Sequence, residues 1–183
     1  MEKYLDLSDS EHYDLLLELI MNLDKDKTKK ILDVGSGKTS LSILLELFPY
    51  SRIDAIVYPN DTRKIDSIVE NIVSKRCLLA EVDICNELIV KKYDLVVAHL
   101  LLGEAEKWGN TTQDLLMRLV NIEGEYLIIF DILEDPSINF KVLELFCEET
   151  YELVTRGWLE AKVPHEYENF TGKTYVAYLY KRK

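Results

Sequence analysis

Apolar positions along this chain recur at two periods, and the two periods alternate. Residues 8–11 read Ser-Asp-Ser-Glu, a capping box in which a hydroxyl and a carboxylate satisfy the first helix N–H groups. Leu16, Leu19, Ile20 and Leu23 then share one helical face. A polar connector over 24–30 leads into a short apolar run, 30–34, that ends at a glycine and reads as a strand. Leu41, Leu44, Leu45 and Phe48 return to helical spacing and stop at Pro49. The alternation repeats with a β-branched strand over 52–58 bounded by Pro59. A helix follows over 62–74, with Ile65, Ile68, Val69, Ile72 and Val73 on one side. Strands are expected over 76–82 and 94–98, the latter apolar throughout, as a strand covered on both faces should be. A helix over 112–120, a strand over 125–132 and a helix over 137–150 complete the series. The ending breaks the rule. Segments 152–163 and 173–180 read as two strands with no helix between them, joined by a loop holding Pro164, Asn169 and Gly172.

Strands alternating with helices imply a parallel sheet with right-handed crossovers and helices on both faces. The helix-free final pair implies an antiparallel hairpin at one edge. The expected fold is therefore α/β, a doubly wound, mostly parallel, seven-stranded sheet with a C-terminal antiparallel hairpin. No linker or repeat divides it, so 1–183 reads as one domain, an N-terminal helical segment over 1–27 preceding the core over 28–183.

Composition narrows the partners. Lys and Arg number 22 against 33 Asp and Glu, a formal charge of −11 over 183 residues. Such a chain repels phosphate backbones at long range, so a nucleic-acid partner is not expected. Cys77, Cys85 and Cys147 are odd in number and lack CxxC spacing, and His12, His99 and His165 are not spaced as a ligand pair. The cysteines read as reduced thiols in a cytoplasmic protein, with no metal. The first fourteen residues are acidic and lack an apolar run, and no apolar stretch reaches eighteen residues, so neither a signal peptide nor a membrane span is expected.

Candidate chemistry gathers where the first strand ends, at Asp33-Val34-Gly35-Ser36-Gly37-Lys38-Thr39-Ser40. Glycines at a strand-to-helix turn let the backbone bend and let a ligand approach. Three loop types compete. Gly37-Lys38-Thr39 matches the end of a phosphate-binding P-loop, but Leu32 stands where its first glycine belongs. Gly35 and Gly37 begin a dinucleotide GxGxxG, but Ser40 replaces the last glycine. The acid expected some twenty residues on is replaced by Val57-Tyr58-Pro59.

The third type fits best. Asp33-Val34-Gly35-Ser36-Gly37 resembles the first motif of class I S-adenosylmethionine-dependent methyltransferases, an acid followed by GxGxG. Val82-Asp83-Ile84 looks like the family's adenine-contacting segment. Residues 93–98 (YDLVVA) look like its fourth strand, and the closing strand pair looks like its last two strands. The resemblance covers roughly 28–183, in order, and implies a Rossmann-like core using S-adenosylmethionine, with S-adenosylhomocysteine as product. It implies that Asp33 helps hold the cofactor's amino-acid end and that Gly35, Ser36 and Gly37 contact it through backbone. It also implies that Asp83 and Ile84 meet the adenine. Two departures stand out. Thr39 replaces the third motif glycine, and the second strand lacks the acid that grips the ribose hydroxyls. Tyr58 and a loop residue, Asn60 or Asp61, are the candidates to compensate. The alternative is a fold relative that has lost the cofactor and serves as a binding or scaffold protein; a nucleotide hydrolase built on Gly37-Lys38-Thr39 is the third reading.

The acceptor should meet the chain beyond the fourth strand. His99 sits where a base or acceptor contact would be, and Glu104 and Trp108, one helical turn apart, are positioned to wall a pocket. Strand-four motifs of the NPPY type and a Pro-Cys nucleophile are absent from the sequence, and with the acidic charge this favours a small molecule or a protein side chain as acceptor.

Overall fold

A computed structural model of the chain describes residues 9–59, 76–165 and 168–183. Helix α1 spans Ser10–Ile20, β1 Lys30–Val34, α2 Lys38–Leu47, β2 Arg52–Val57, β3 Cys77–Glu81 and β4 Tyr93–His99. A 3-10 helix covers Leu102–Trp108, followed by α3 (Thr112–Asn121), β5 (Gly124–Ile132), α4 (Phe140–Thr150), β6 (Tyr151–Glu160) and β7 (Thr174–Arg182). The helix expected over 62–74 lies outside the described residues.

The strands form one seven-stranded sheet in the order β3-β2-β1-β4-β5-β7-β6. The first five pair in parallel, and β7 pairs antiparallel with both β5 and β6. This is the expected doubly wound sheet with its antiparallel end. Chain order reverses between β1 and β4, so that β1 feeds outward to β2 while β4 starts the other half. A crevice opens at the carboxyl ends of the strands at such a switch point.

Each face of the sheet carries its own apolar layer. On one, Leu15, Leu16, Leu19 and Ile20 of α1 and Leu41, Leu44 and Leu45 of α2 pack with Ile31, Leu95, Val97 and Ile128. On the other, Leu115, Leu116 and Leu119 of α3 and Leu143 and Cys147 of α4 pack with Leu32, Val34, Val96, Leu127 and Ile129. Alternate residues of one strand serve opposite layers, which is why β4 and β5 read as unbroken apolar runs. The three cysteines are buried free thiols, and burial pushes Cys77 up to about 11 and Cys147 up to about 12. Among the described residues, no helix is long and apolar enough to cross a membrane.

The capping residue of the expected box, Ser8, lies outside the described residues. The helix begins at Ser10, and the Glu11 carboxylate accepts from the backbone N–H groups of Lys162 (2.8 Å) and Val163 (3.2 Å). It therefore ties the helix to the loop after β6. The start of α4 is set by Asn139, whose side chain accepts from the Val142 N–H, so the helix begins at Phe140, three residues later than its pattern suggested.

Candidate active site

The loop between β1 and α2 is only three residues long, Gly35 to Gly37. Its shape is set by Asp33. That side chain is fully buried, and its Oδ2 accepts from the Ser36 hydroxyl (2.5 Å) and the Ser40 hydroxyl (2.8 Å). Ser40 Oγ in turn accepts from the Gly37 N–H at 3.2 Å, and the Ser36 N–H reaches across to the Ile56 carbonyl at 2.8 Å. The other carboxylate oxygen, Oδ1, is buried with no hydrogen-bond partner among the described residues. Burial outweighs the two hydroxyls and lifts Asp33 to about 7. Asp33 thus faces Ser36 and Ser40 and lines neither of the cavities described next; it shapes the loop from beneath.

The two glycines do different things. Gly35 holds φ +67°, and a Cβ built on it would overlap Leu101 Cδ1, so the close approach that glycine permits here is used by the chain's own leucine. Gly37 has extended backbone, and a Cβ there would meet open space. That space is a cavity of about 220 Å³ at the carboxyl ends of β1, β4 and β5. Gly37, Lys38, Thr39 and Ser40 form one wall, and His99 to Leu101 with Glu104 and Lys107 form a second. Asp131 and Asp135 lie at the end of β5, and His165, Glu168 and Phe170 reach in from the loop before β7.

Three histidines, two of them on the cavity wall, come together only in the fold. His99 Nε2 and His12 Nδ1 share a hydrogen bond of 2.8 Å, and the His165 ring lies 4.8 Å from His12. Phe130 and Tyr175 close the box around His12. Burial, reinforced by His165, pushes His99 down to about 3, and His12 is lowered further, so the pair is held neutral. A neutral, buried His99 is a hydrogen-bonding wall and a poor proton acceptor. Among the described residues no group of His, Cys, Asp and Glu has the arrangement of a metal site.

Asp131 is the group that sequence reading passed over. It is buried at the cavity end of β5, where its carboxylate accepts from the Leu102 N–H (2.9 Å) and the Ile132 N–H (3.0 Å). Burial raises it to about 7. The signal was present, since an apolar strand ending in Asp puts a carboxylate at the ligand-binding edge. Lys38, the first residue of α2, lines the cavity. Glu104 lies on the cavity wall, with Lys107 Nζ 2.6 Å from it and 3.2 Å from Glu168.

The remaining candidates cluster elsewhere. Tyr58, Ile84 and Trp108 surround a second hollow of about 10 Å³ at the ends of β1, β2 and β3, with Val34, Ile56, Val57, Val82 and Leu101. The Tyr58 and Trp108 rings stack, centroids 4.7 Å apart and planes 7° apart. Trp108 therefore walls this slot and not the larger cavity. Asp83 turns its carboxylate onto the Cys85 N–H (3.1 Å) and the Asn86 amide (2.8 Å), closing a turn after β3. Asp61 lies outside the described residues.

No protein-family model matches the sequence, and no curated protein matches it. Solved structures do. N-methyltransferase NodS from Bradyrhizobium japonicum WM9, in complex with S-adenosyl-L-homocysteine, aligns with a TM-score of 0.69 at 14% identity, over 97% of this chain and 88% of that one. The O-methyltransferase region 961–1257 of StiE aligns at 0.66 and 15% identity, over 93% and 74%. An rRNA methylase from Escherichia coli aligns at 0.64 and 12% identity, over 94% and 64%. With its strand order, its antiparallel end and the glycine loop at the switch point, the chain has the class I methyltransferase fold.

Proposed function

We propose that the protein transfers a methyl group from S-adenosylmethionine to a small acceptor, or to a protein side chain that can enter the 220 Å³ cavity. The observation that carries this reading is the position of that cavity, open above Gly37 at the switch point and flanked by the buried carboxylate of Asp131. The residues present fit the cofactor's amino-acid end. Gly37 leaves room where any side chain would intrude, and the Ser36 and Ser40 hydroxyls, donating to Asp33, hold the loop in the shape that makes the room. Tyr58 and Ile84 are the groups to meet the purine.

When bound, the cofactor supplies an electrophilic methyl on a sulfonium. The chain's task is mainly alignment, since in-line displacement needs the nucleophile held opposite the breaking S–C bond. His99, Glu104 and Phe170 form the walls that orient the acceptor. An acceptor that must lose a proton is served by Asp131, whose raised proton affinity near neutral pH suits a general base. Its two backbone N–H partners fix the carboxylate so that it faces the cavity without a side-chain rearrangement.

Calorimetry with S-adenosylhomocysteine, ATP and NAD tests the assignment. Binding of the first alone is expected. The β1–α2 loop is too short to wrap a triphosphate, because Val34 is still in the strand and Lys38 already in the helix. A second reading, a scaffold that kept the fold and lost the cofactor, is favoured by one observation, the filling of the purine side by Leu101 and Trp108. Absence of S-adenosylhomocysteine binding at millimolar concentration would put it first.

A further inference from the structure

The two halves of the crevice differ sharply. The half over β1, β4 and β5 holds about 220 Å³ of open space, whereas the half over β1, β2 and β3 holds about 10 Å³. The second half is not narrow by construction. Its walls are the aliphatic side chains of Val34, Ile56, Val82 and Ile84 and the flat face of Tyr58, and what fills it is an indole lying parallel to that face. An indole is a planar, bicyclic aromatic with a ring N–H. A slot that accepts it edge and face has the shape a purine needs.

We propose that Trp108 is an intramolecular competitor for the purine of the nucleoside ligand: its indole closes the slot against Tyr58 and leaves when the nucleoside binds. The inference rests on the methyl-transfer reading above, which assigns that slot to the cofactor's adenine.

The segment that carries Trp108 is buried at its start and exposed at its end. Its start is pinned, because Leu102 and Ala105 are buried and the Leu102 N–H donates to Asp131. Its end runs along the surface, with Glu106, Lys107 and Gly109 exposed, and is tied by the stack on Tyr58, by hydrogen bonds to the Trp108 carbonyl from the Tyr58 hydroxyl (3.4 Å) and the Asn110 amide (3.1 Å), by the Gly109 and Asn110 N–H groups on the Glu106 and Ala105 carbonyls, and by the ion pairs of Lys107. Gly109 follows at φ +73° and supplies a turn that swivels without a side chain in the way. Leu101, on the pinned side and packed on Gly35, stays as the floor of the slot. A site closed by its own side chain binds with an apparent affinity reduced by the fraction of molecules that are open. The penalty falls on any ligand that brings a purine, adenosine included. It spares a ligand confined to the larger cavity, such as methionine.

The test uses the full chain, with S-adenosylhomocysteine and adenosine as probes. The chain has two tryptophans, and Trp158 is 65% exposed on β6, so Trp158→Phe leaves Trp108 as the one indole reporter. Titrating that protein with S-adenosylhomocysteine should red-shift the Trp108 emission as the ring leaves its stack for water. In calorimetry, Trp108→Ala should bind S-adenosylhomocysteine and adenosine more tightly by roughly 3- to 10-fold, the range an aromatic pair of this geometry is worth. Emission unmoved at saturation, or weaker binding by Trp108→Ala, would overturn the proposal and make Trp108 a fixed wall that the adenine stacks on. The fluorescence arm keeps the indole in place, so it decides the matter even should Trp108→Ala fold poorly. Binding by neither protein at millimolar ligand sinks the methyl-transfer reading itself, and the competitor with it.

Discussion

Replacing Asp33 with asparagine isolates the cost of a buried charge at the heart of the glycine loop. The folded chain raises this carboxyl from 3.8 to about 7, because the side chain is wholly buried and its two serine hydroxyls offset only part of the lost hydration. Between about pH 4 and pH 7 the folded state keeps a proton that the unfolded state has released. The stability contributed by this group is therefore fully present below pH 4, falls as pH rises, and levels off above about 7. From pH 5 to pH 8 the fall spans about two pK units, or ~3 kcal/mol at 1.36 kcal/mol per unit. Asparagine carries no charge at any pH, so the variant lacks this slope. It has its own handicap: Oδ1 of Asp33 has no partner among the described residues, so an amide NH₂ placed there strands two N–H donors, one more than the protonated carboxyl, at a cost of ~1–3 kcal/mol. The variant should then be less stable than wild type at pH 5 and equal or more stable at pH 8. Urea unfolding of both proteins at pH 5, 6, 7 and 8 measures the difference directly. Asp131 titrates in both proteins and cancels. A stability difference that stays flat across this range would refute the argument and show that Asp33 is ionised in the folded protein at all these pH values.

Other substitutions read other parts of the site. Gly37→Leu should fold normally, because its backbone is extended and its Cβ meets open space, and should lose S-adenosylhomocysteine binding by calorimetry at least tenfold; undiminished affinity would remove the glycine loop from the site. Gly35→Ala should lower stability by more than about 1 kcal/mol in urea unfolding, since it combines a left-handed φ with an overlap on Leu101. For an acceptor that must lose a proton, Asp131→Asn should abolish the rise in kcat/KM centred near pH 7 in a methyl-transfer assay while leaving S-adenosylhomocysteine affinity within a few-fold of wild type. Glu11→Ala strands the N–H groups of Lys162 and Val163 and should cost ~1–3 kcal/mol, read as a lower urea midpoint.

Local pattern carried the fold a long way. The unbroken apolar runs at 94–98 and 125–132 follow from burial on both faces, and burial on both faces is what a parallel sheet with helices above and below provides, so β4 and β5 were legible as central strands. The antiparallel end was legible for a similar reason, since two strands with a short connection and no helix leave no length for a crossover. The glycine loop was legible because backbone bends leave a mark on residue type. Sequence could not give the strand order or the position of the switch point between β1 and β4, which depend on which long-range pairings bury the most surface. Nor could it bring together His12, His99 and His165, which are 66 residues or more apart along the chain and meet only because α1 and the loop before β7 cover the same end of the sheet. The directions of side chains were the last thing to be decided. Asp33 turns under its loop toward two serines, Asp83 turns onto the Cys85 N–H and the Asn86 amide, and Trp108 crosses the crevice to Tyr58. Each choice is made by the partner within hydrogen-bond or stacking distance, and that partner is a property of the folded chain alone.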